Sequence, residues 1–243
     1  MQKIIAIICL LLSMCNEIVC VAQKTDFQLW NEIGADYKWN KSITGRVDIS
    51  TRFNAFGLDK VFPQLSTGFD VASWLDIDLS YRSIFEKGLN QYYTSSNRWN
   101  INLKFKEKRK NVHVSARVRY QFGGTKIYFN QYDADFDNAW RFKGQMKYKP
   151  KNSKFQIEGG IETFFNPQFG IYGRSFNKNR YSIALGYKLG SNQDLSLDIL
   201  YDNRINSGGK ANILAIKTNY SYGIKRKSSK KQKGIPLKNV RDL

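Results

Sequence analysis

Val112-His113-Val114-Ser115-Ala116-Arg117-Val118-Arg119-Tyr120-Gln121-Phe122 is the stretch on which the reading of the fold turns. Val112, Val114, Ala116, Val118, Tyr120 and Phe122 alternate with His113, Ser115, Arg117, Arg119 and Gln121. An extended strand has a period of two, so the first set forms an apolar face and the second a charged one. A helix would scatter both sets around its circumference.

The same alternation recurs on either side. Ile43 to Phe53 sets Ile43, Val47, Ile49 and Phe53 against Arg46, Asp48 and Arg52, and Leu75 to Phe85 sets Leu75, Ile77, Leu79 and Tyr81 against Asp76, Asp78 and Arg82. Further examples are Phe27 to Trp39, Val61 to Ser73, Arg98 to Lys106, Ala139 to Tyr148, Phe155 to Phe165, Asn179 to Leu189, Asp194 to Ile205 and Asn212 to Ile224, making eleven. Only Val61 to Ser73 holds a proline, Pro63, near its start, where an edge or strand beginning tolerates one. The connections fall into two alternating classes. Asn40 to Ser42, the turn at Ser73 and Trp74, Glu107 to Asn111, Lys149 to Lys154 and Gly190 to Gln193 are short; Asn54 to Lys60, Glu86 to Asn97, Gly123 to Asn138, Asn166 to Phe176 and Asn206 to Lys210 are long.

Repeated ten-residue alternation with short turns on one side and longer loops on the other is the pattern of an outer-membrane barrel, whose short turns face the periplasm. Aromatic residues make up 14% of the chain and gather toward the ends of the apolar faces, as in Tyr37, Trp39, Phe85, Trp99, Trp140, Tyr148, Phe155 and Tyr187. Amphipathic rings favour a lipid-water boundary. The expected fold is therefore all-β: a transmembrane antiparallel β-barrel of about 10 to 12 strands in meander order. Bacterial single-chain barrels have even strand numbers, so twelve is preferred, with a further strand hidden in Lys126 to Tyr132. A soluble sandwich or lipocalin-like barrel also alternates, but it turns its apolar face inward.

The two ends frame this barrel. Lys3, the apolar run Ile4 to Leu12 and small residues at Cys20 and Ala22 resemble a secretory signal cleaved before Gln23. That run is too short for a spanning helix. The expected organisation is 1–22 signal peptide, 23–224 barrel and 225–243 basic periplasmic tail. Cys9, Cys15 and Cys20 all precede the cleavage point, so the exported chain carries no thiol for a disulfide, metal or nucleophile. The formal net charge of +19 invites a nucleic-acid reading. Export argues instead for no nucleic acid and for anionic lipid or cell-wall polymer as the partner of the tail Lys225 to Lys233. The other expected partners are outer-membrane lipid and the barrel-assembly machinery during insertion.

Four stretches carry a resemblance: Phe27 to Trp39, Ala116 to Phe122, Ile161-Glu162-Thr163-Phe164-Phe165-Asn166, and Asn179-Arg180-Tyr181 running into Leu185-Gly186-Tyr187-Lys188-Leu189. They resemble the outer-membrane barrel family known as domain of unknown function 2490, found in Bacteroidetes and some Proteobacteria. The resemblance implies the location and the fold, and no activity, catalytic residue or cofactor. It also implies a barrel ending on an aromatic residue of the last strand, whereas here 225–243 follow Tyr220, Tyr222 and Ile224.

Only one pair has catalytic spacing. His113 and Ser115 match the His-x-Ser arrangement of membrane-embedded lipid hydrolases, in which an imidazole takes the serine proton. Both fall on the polar face beside a short turn, whereas lipid hydrolysis requires the lipid-facing wall. The polar rows otherwise predict a lumenal charge ladder of Arg46, Asp48, Arg52, Asp76, Asp78, Arg82, Arg117, Arg119, Arg141, Glu158, Glu162, Arg180, Asp198 and Arg204, with Arg98, Lys104, Lys143, Lys188 and Asp202 beside them. Such a ladder either fills a narrow barrel or lines a pore whose arginine excess favours anions. Glu158 and Glu162 lie four residues apart on one strand, about 13 Å, too far to share one ion. No metal or cofactor is expected. The expected function is structural or that of a narrow anion-favouring pore; the alternatives are a lipid hydrolase at His113 and Ser115 or a soluble periplasmic binder of apolar ligands.

Overall fold

A computed structural model describes residues 24–40, 42–88, 92–123, 137–169, 173–206 and 210–224. The expected signal segment 1–22, the expected tail 225–243 and the hidden strand expected in Lys126 to Tyr132 all lie outside these residues. Among those described there is no helix, and eleven strands close into one barrel: β1 (Thr25–Lys38), β2 (Ile43–Asn54), β3 (Gly57–Ala72), β4 (Leu75–Lys87), β5 (Tyr93–Arg109), β6 (Val112–Gly123), β7 (Ala139–Tyr148), β8 (Phe155–Asn166), β9 (Ser175–Lys188), β10 (Gln193–Arg204) and β11 (Asn212–Ile224).

Each strand pairs antiparallel with the next, giving the meander that alternation predicts. Closure is different. β1 and β11 run parallel, from Thr25 opposite Asn212 to Tyr37 opposite Ile224. The preference for twelve strands rests on the even numbers of bacterial single-chain barrels; the parallel seam lets an odd number close among the described residues. It also puts the start of β1 and the end of β11 at opposite rims.

One rim, the turn end, carries the connections 39–42, 73–74, 110–111, 149–154 and 189–192. The other, the loop end, carries 55–56, 88–92, 124–138, 167–174 and 205–211. The first loop-end connection corrects the expectation of a long loop over Asn54 to Lys60. Asn54 Oδ1 accepts from Phe56 N at 2.8 Å, and Gly57 takes φ +99°, a conformation that suits glycine. A register shift at Arg52/Phe53 absorbs the extra residue and makes the reversal tight. Pro63 is likewise not at a strand end. It lies inside β3 opposite Ile49, and the ladder from β3 to β4 skips from Val61 to Gln64, where the missing proline N–H leaves no bond to make.

The register fixes the faces. Ile33, Val47, Ile49, Leu65, Met146, Ile161, Ile183 and Ile199 point outward and are each more than half exposed. Asp48, Asn100, Asn102, Gln121, Arg141, Glu162 and Asp202 are buried inside. Aromatic pairs sit on the outer wall toward both rims: Trp74 against Phe105 and Phe155 against Tyr187 near the turn end, Tyr81 against Trp99 and Phe165 against Phe176 toward the loop end. The wall is apolar and the interior charged, the inverse of a soluble barrel.

Candidate functional site

The lumen divides into three levels, of which the sequence ladder describes only part. At the loop end it is packed with apolar side chains that the ladder does not include: Trp30, Phe62, Ile84, Phe164, Leu200 and Ile213 are all nearly inaccessible. Each belongs to a run of adjacent apolar residues, such as Leu29-Trp30, Ile84-Phe85 or Phe164-Phe165, so one member has to face inward. Cations stack on these rings. Arg52 lies 3.9 Å from the Trp30 ring centre, and Arg141 and Lys178 lie 4.3 and 4.1 Å from that of Phe164.

Three charged groups hold neighbouring strands together, the first below this plug, the second reaching up to it through Arg141 opposite Phe164, and the third level with it, where Asp202 stands opposite Ile213 and Lys178 opposite Phe164. In the first, Arg46 reaches Glu32 at 2.9 Å, Asp36 at 3.1 Å and Asp48 at 3.2 Å. Glycine at 34 makes room for it, since a Cβ there would lie 2.8 Å from Arg46 Nη2. Gln64 donates to Asp48, and Arg82 Nε donates to Gln64 Oε1 at 2.7 Å. In the second, Glu162 takes two bonds of 3.0 Å from Arg141 and one of 2.5 Å from Arg117, joining β6, β7 and β8. In the third, Arg180 forks onto Asp202 at 2.6 and 2.7 Å, with Lys178 3.2 Å away.

These groups surround a cavity of about 290 Å³ whose wall includes Arg82, Arg98, Arg117, Arg119, Arg141 and Lys143. A second cavity of about 740 Å³ opens at the turn end, lined by Lys104, Lys147, Lys149, Lys154 and Lys188. Glu32, Arg46, Glu158, Ala184 and Asp198 border both, so the two adjoin.

The remaining ladder residues occupy smaller contacts. Asp76 pairs with Lys106 at 2.6 Å and Asp78 with Lys104 at 3.7 Å. Glu158 pairs with Lys147 at 3.0 Å, and Asp198 accepts from Asn219 at 2.8 Å. Arg204 stands at the loop-end terminus of β10, where its backbone N–H donates to Asn212. Glu32 is absent from the ladder read off the sequence, yet it binds Arg46, Ser50 and Lys217. Its strand alternates weakly, and a lone glutamate gives no sign of such a hub.

His113 and Ser115 lie on the inner face of β6 beside the turn 110–111. Across the two ladders His113 faces Lys108 and Lys147, and Ser115 faces Lys106 and Gln145. A hydrolytic histidine needs an acceptor to orient its ring, and none of these directly opposed positions holds a carboxylate. Among the described residues no cluster of three or more metal-ligating side chains occurs.

No curated protein matches the chain. A family model described as protein of unknown function (DUF2490) matches residues 27–212, from the first strand to the start of the last. The chain belongs to that family.

Proposed function

We propose that the protein is a non-enzymatic outer-membrane barrel, inserted by the barrel-assembly machinery with its turn end toward the periplasm, whose lumen is closed to free diffusion. The observation that carries this reading is the inverted distribution of side chains. Ile183 is 67% exposed on the outer wall while Glu162, on the adjoining strand, is 4% exposed inside. A wall of isoleucine, leucine and valine between aromatic belts is matched to hydrocarbon, where only a closed barrel satisfies every backbone group of a strand. The strands, from β7 of 10 residues to β5 of 17, are long enough, since about 9 to 11 suffice to cross. A periplasmic binder of apolar ligands needs an apolar interior, and this one is lined with arginine.

Between a filled barrel and an anion-favouring pore, the packed rings at the loop end favour the filled one. The decisive experiment has two parts. Fractionation of expressing cells is expected to leave the protein in the detergent-extracted outer-membrane pool after alkaline washing; release by washing alone overturns the membrane assignment. Planar-bilayer recordings of the purified barrel are expected to show no steady current, and stepwise anion-selective openings would restore the pore.

A further inference from the structure

The central cavity holds more positive charge than its own carboxylates meet. Ten arginine and lysine side chains line it, against five carboxylates. Asp36 and Asp202, from just outside the wall, account for part of the excess through Arg46 and Arg180. Among the described residues, Arg82, Arg119 and Lys143 have no carboxylate within ion-pair distance. The bonds of the first two are to neutral amides, Arg82 Nε to Gln64 at 2.7 Å and Arg119 Nε to Asn102 at 2.5 Å.

The strand register aggravates the imbalance. Arg82 stands directly opposite Arg98, Arg119 opposite Arg141, and Arg117 opposite both Lys104 and Lys143. Like charges directly opposed across a ladder repel, and more strongly inside a barrel than on a surface. Arg117 Nε is also buried without a hydrogen-bond acceptor, although its Nη2 reaches Glu162. An uncompensated buried donor costs stability unless a ligand or water supplies the acceptor.

We propose that this cavity is a binding site for a small multivalent oxyanion, with phosphoryl groups as the chemistry it takes, reached through the lysine-lined opening at the turn end. Guanidinium groups present planar forks that match phosphate oxygens, and those lining this cavity include Arg82 from β4, Arg98 from β5, Arg117 and Arg119 from β6 and Arg141 from β7. At roughly 30 Å³ per water the cavity equals about ten waters, room for a diphosphate with part of its hydration. The basic vestibule concentrates anions at the opening, and the packed rings above stop them from passing through. The site belongs to the lumen and is independent of what meets the outer wall, so its failure leaves the membrane reading intact, and the reverse also holds.

The test is calorimetric titration of the full-length folded protein with pyrophosphate, orthophosphate and sodium chloride at matched ionic strength in a zwitterionic detergent. Saturable one-to-one binding is expected for pyrophosphate, tighter than for orthophosphate and absent for chloride. Arg119→Gln combined with Lys143→Gln is expected to weaken pyrophosphate binding by about tenfold or more, the loss expected for charge-assisted bonds. Phosphatidylglycerol mixed into the micelle separates the two sources: competition assigns the site to a lipid headgroup, and none assigns it to a free anion. If the double variant does not fold, the wild type alone decides, through an unfolding temperature that rises saturably with pyrophosphate but not with equal ionic strength of chloride. Heats that depend only on ionic strength, or equal affinity in wild type and folded variant, overturn the proposal.

Discussion

Lys217 Nζ lies 2.9 Å from Glu32 Oε2, so a half-buried ion pair joins the last strand to the first across the parallel seam. The same carboxylate holds Arg46 through its other oxygen and accepts from Ser50. Neutralising it therefore leaves Lys217 without its carboxylate where the barrel closes and takes from Arg46 one of three, since Asp36 and Asp48 remain.

Glu32→Gln is expected to destabilise the barrel by about 1.5 to 3 kcal/mol, the usual worth of charge-assisted bonds at a half-buried site. Lys217→Met in the same background should recover part of the loss, because the pair is then absent rather than broken. Urea unfolding of the two single variants and the double one measures the coupling; strictly additive losses would show that the seam does not depend on this contact.

Glu162 balances Arg141 and Arg117 at once, with 5% of its side chain exposed. Glu162→Gln is expected to cost about 3 kcal/mol or more and to increase the positive excess of the central cavity. Its pyrophosphate affinity should rise even as the ligand-free barrel becomes less stable. A variant that loses stability and affinity together would mean that Glu162 shapes the site rather than opposing the anion.

Ile183 and Ile161 lie on the outer wall midway along their strands. An arginine at a lipid-facing midplane position costs about 2 to 4 kcal/mol, whereas on a wet surface it costs almost nothing. Ile183→Arg is expected to lower the folded yield in liposomes clearly. Insertion equal to wild type would argue that water, not lipid, meets this wall.

Phe164 is fully buried and is approached by Arg141 and Lys178. Phe164→Ala should remove about 3 to 5 kcal/mol of stability and open the loop-end packing. Single-channel recording is the readout: openings are expected in the variant and not in the wild type. A variant as silent as the wild type would place the seal elsewhere in the lumen.

His113→Ala and Ser115→Ala are expected to leave membrane lipid composition unchanged, since lysines and a glutamine occupy the positions opposite the pair. Accumulation of intact lipid in either strain, measured by mass spectrometry, would instead make the pair catalytic.

Much of the barrel was legible because a two-residue period is a local property. Val112 to Phe122 alternates without a break, and β6 occupies that stretch with Gly123 added. The same rule located Arg117, Arg119 and Arg141 on one face, because adjacent strands share a pleat. It said less where two apolar residues stand side by side. In Ile84-Phe85 the period places Phe85 with Leu75 to Tyr81 on the apolar wall, as the structure does, but gives no sign that Ile84 and Phe164 pack together into a plug. Gly57 is a similar case, because a stretch that reads as a long loop became a tight reversal once one residue took a positive φ.

The amino-acid sequence by itself determined the strands, their two faces and their order, since alternation and turn residues act over a few positions. Only the tertiary structure decided the closure, the plug and the partners of each charge. The parallel seam joins residues nearly two hundred positions apart, as in Thr25 opposite Asn212, and no local signal reaches that far. The partners of Glu32 or Glu162 depend on the strand register, where a slip of one residue would turn every inner charge onto the outer wall.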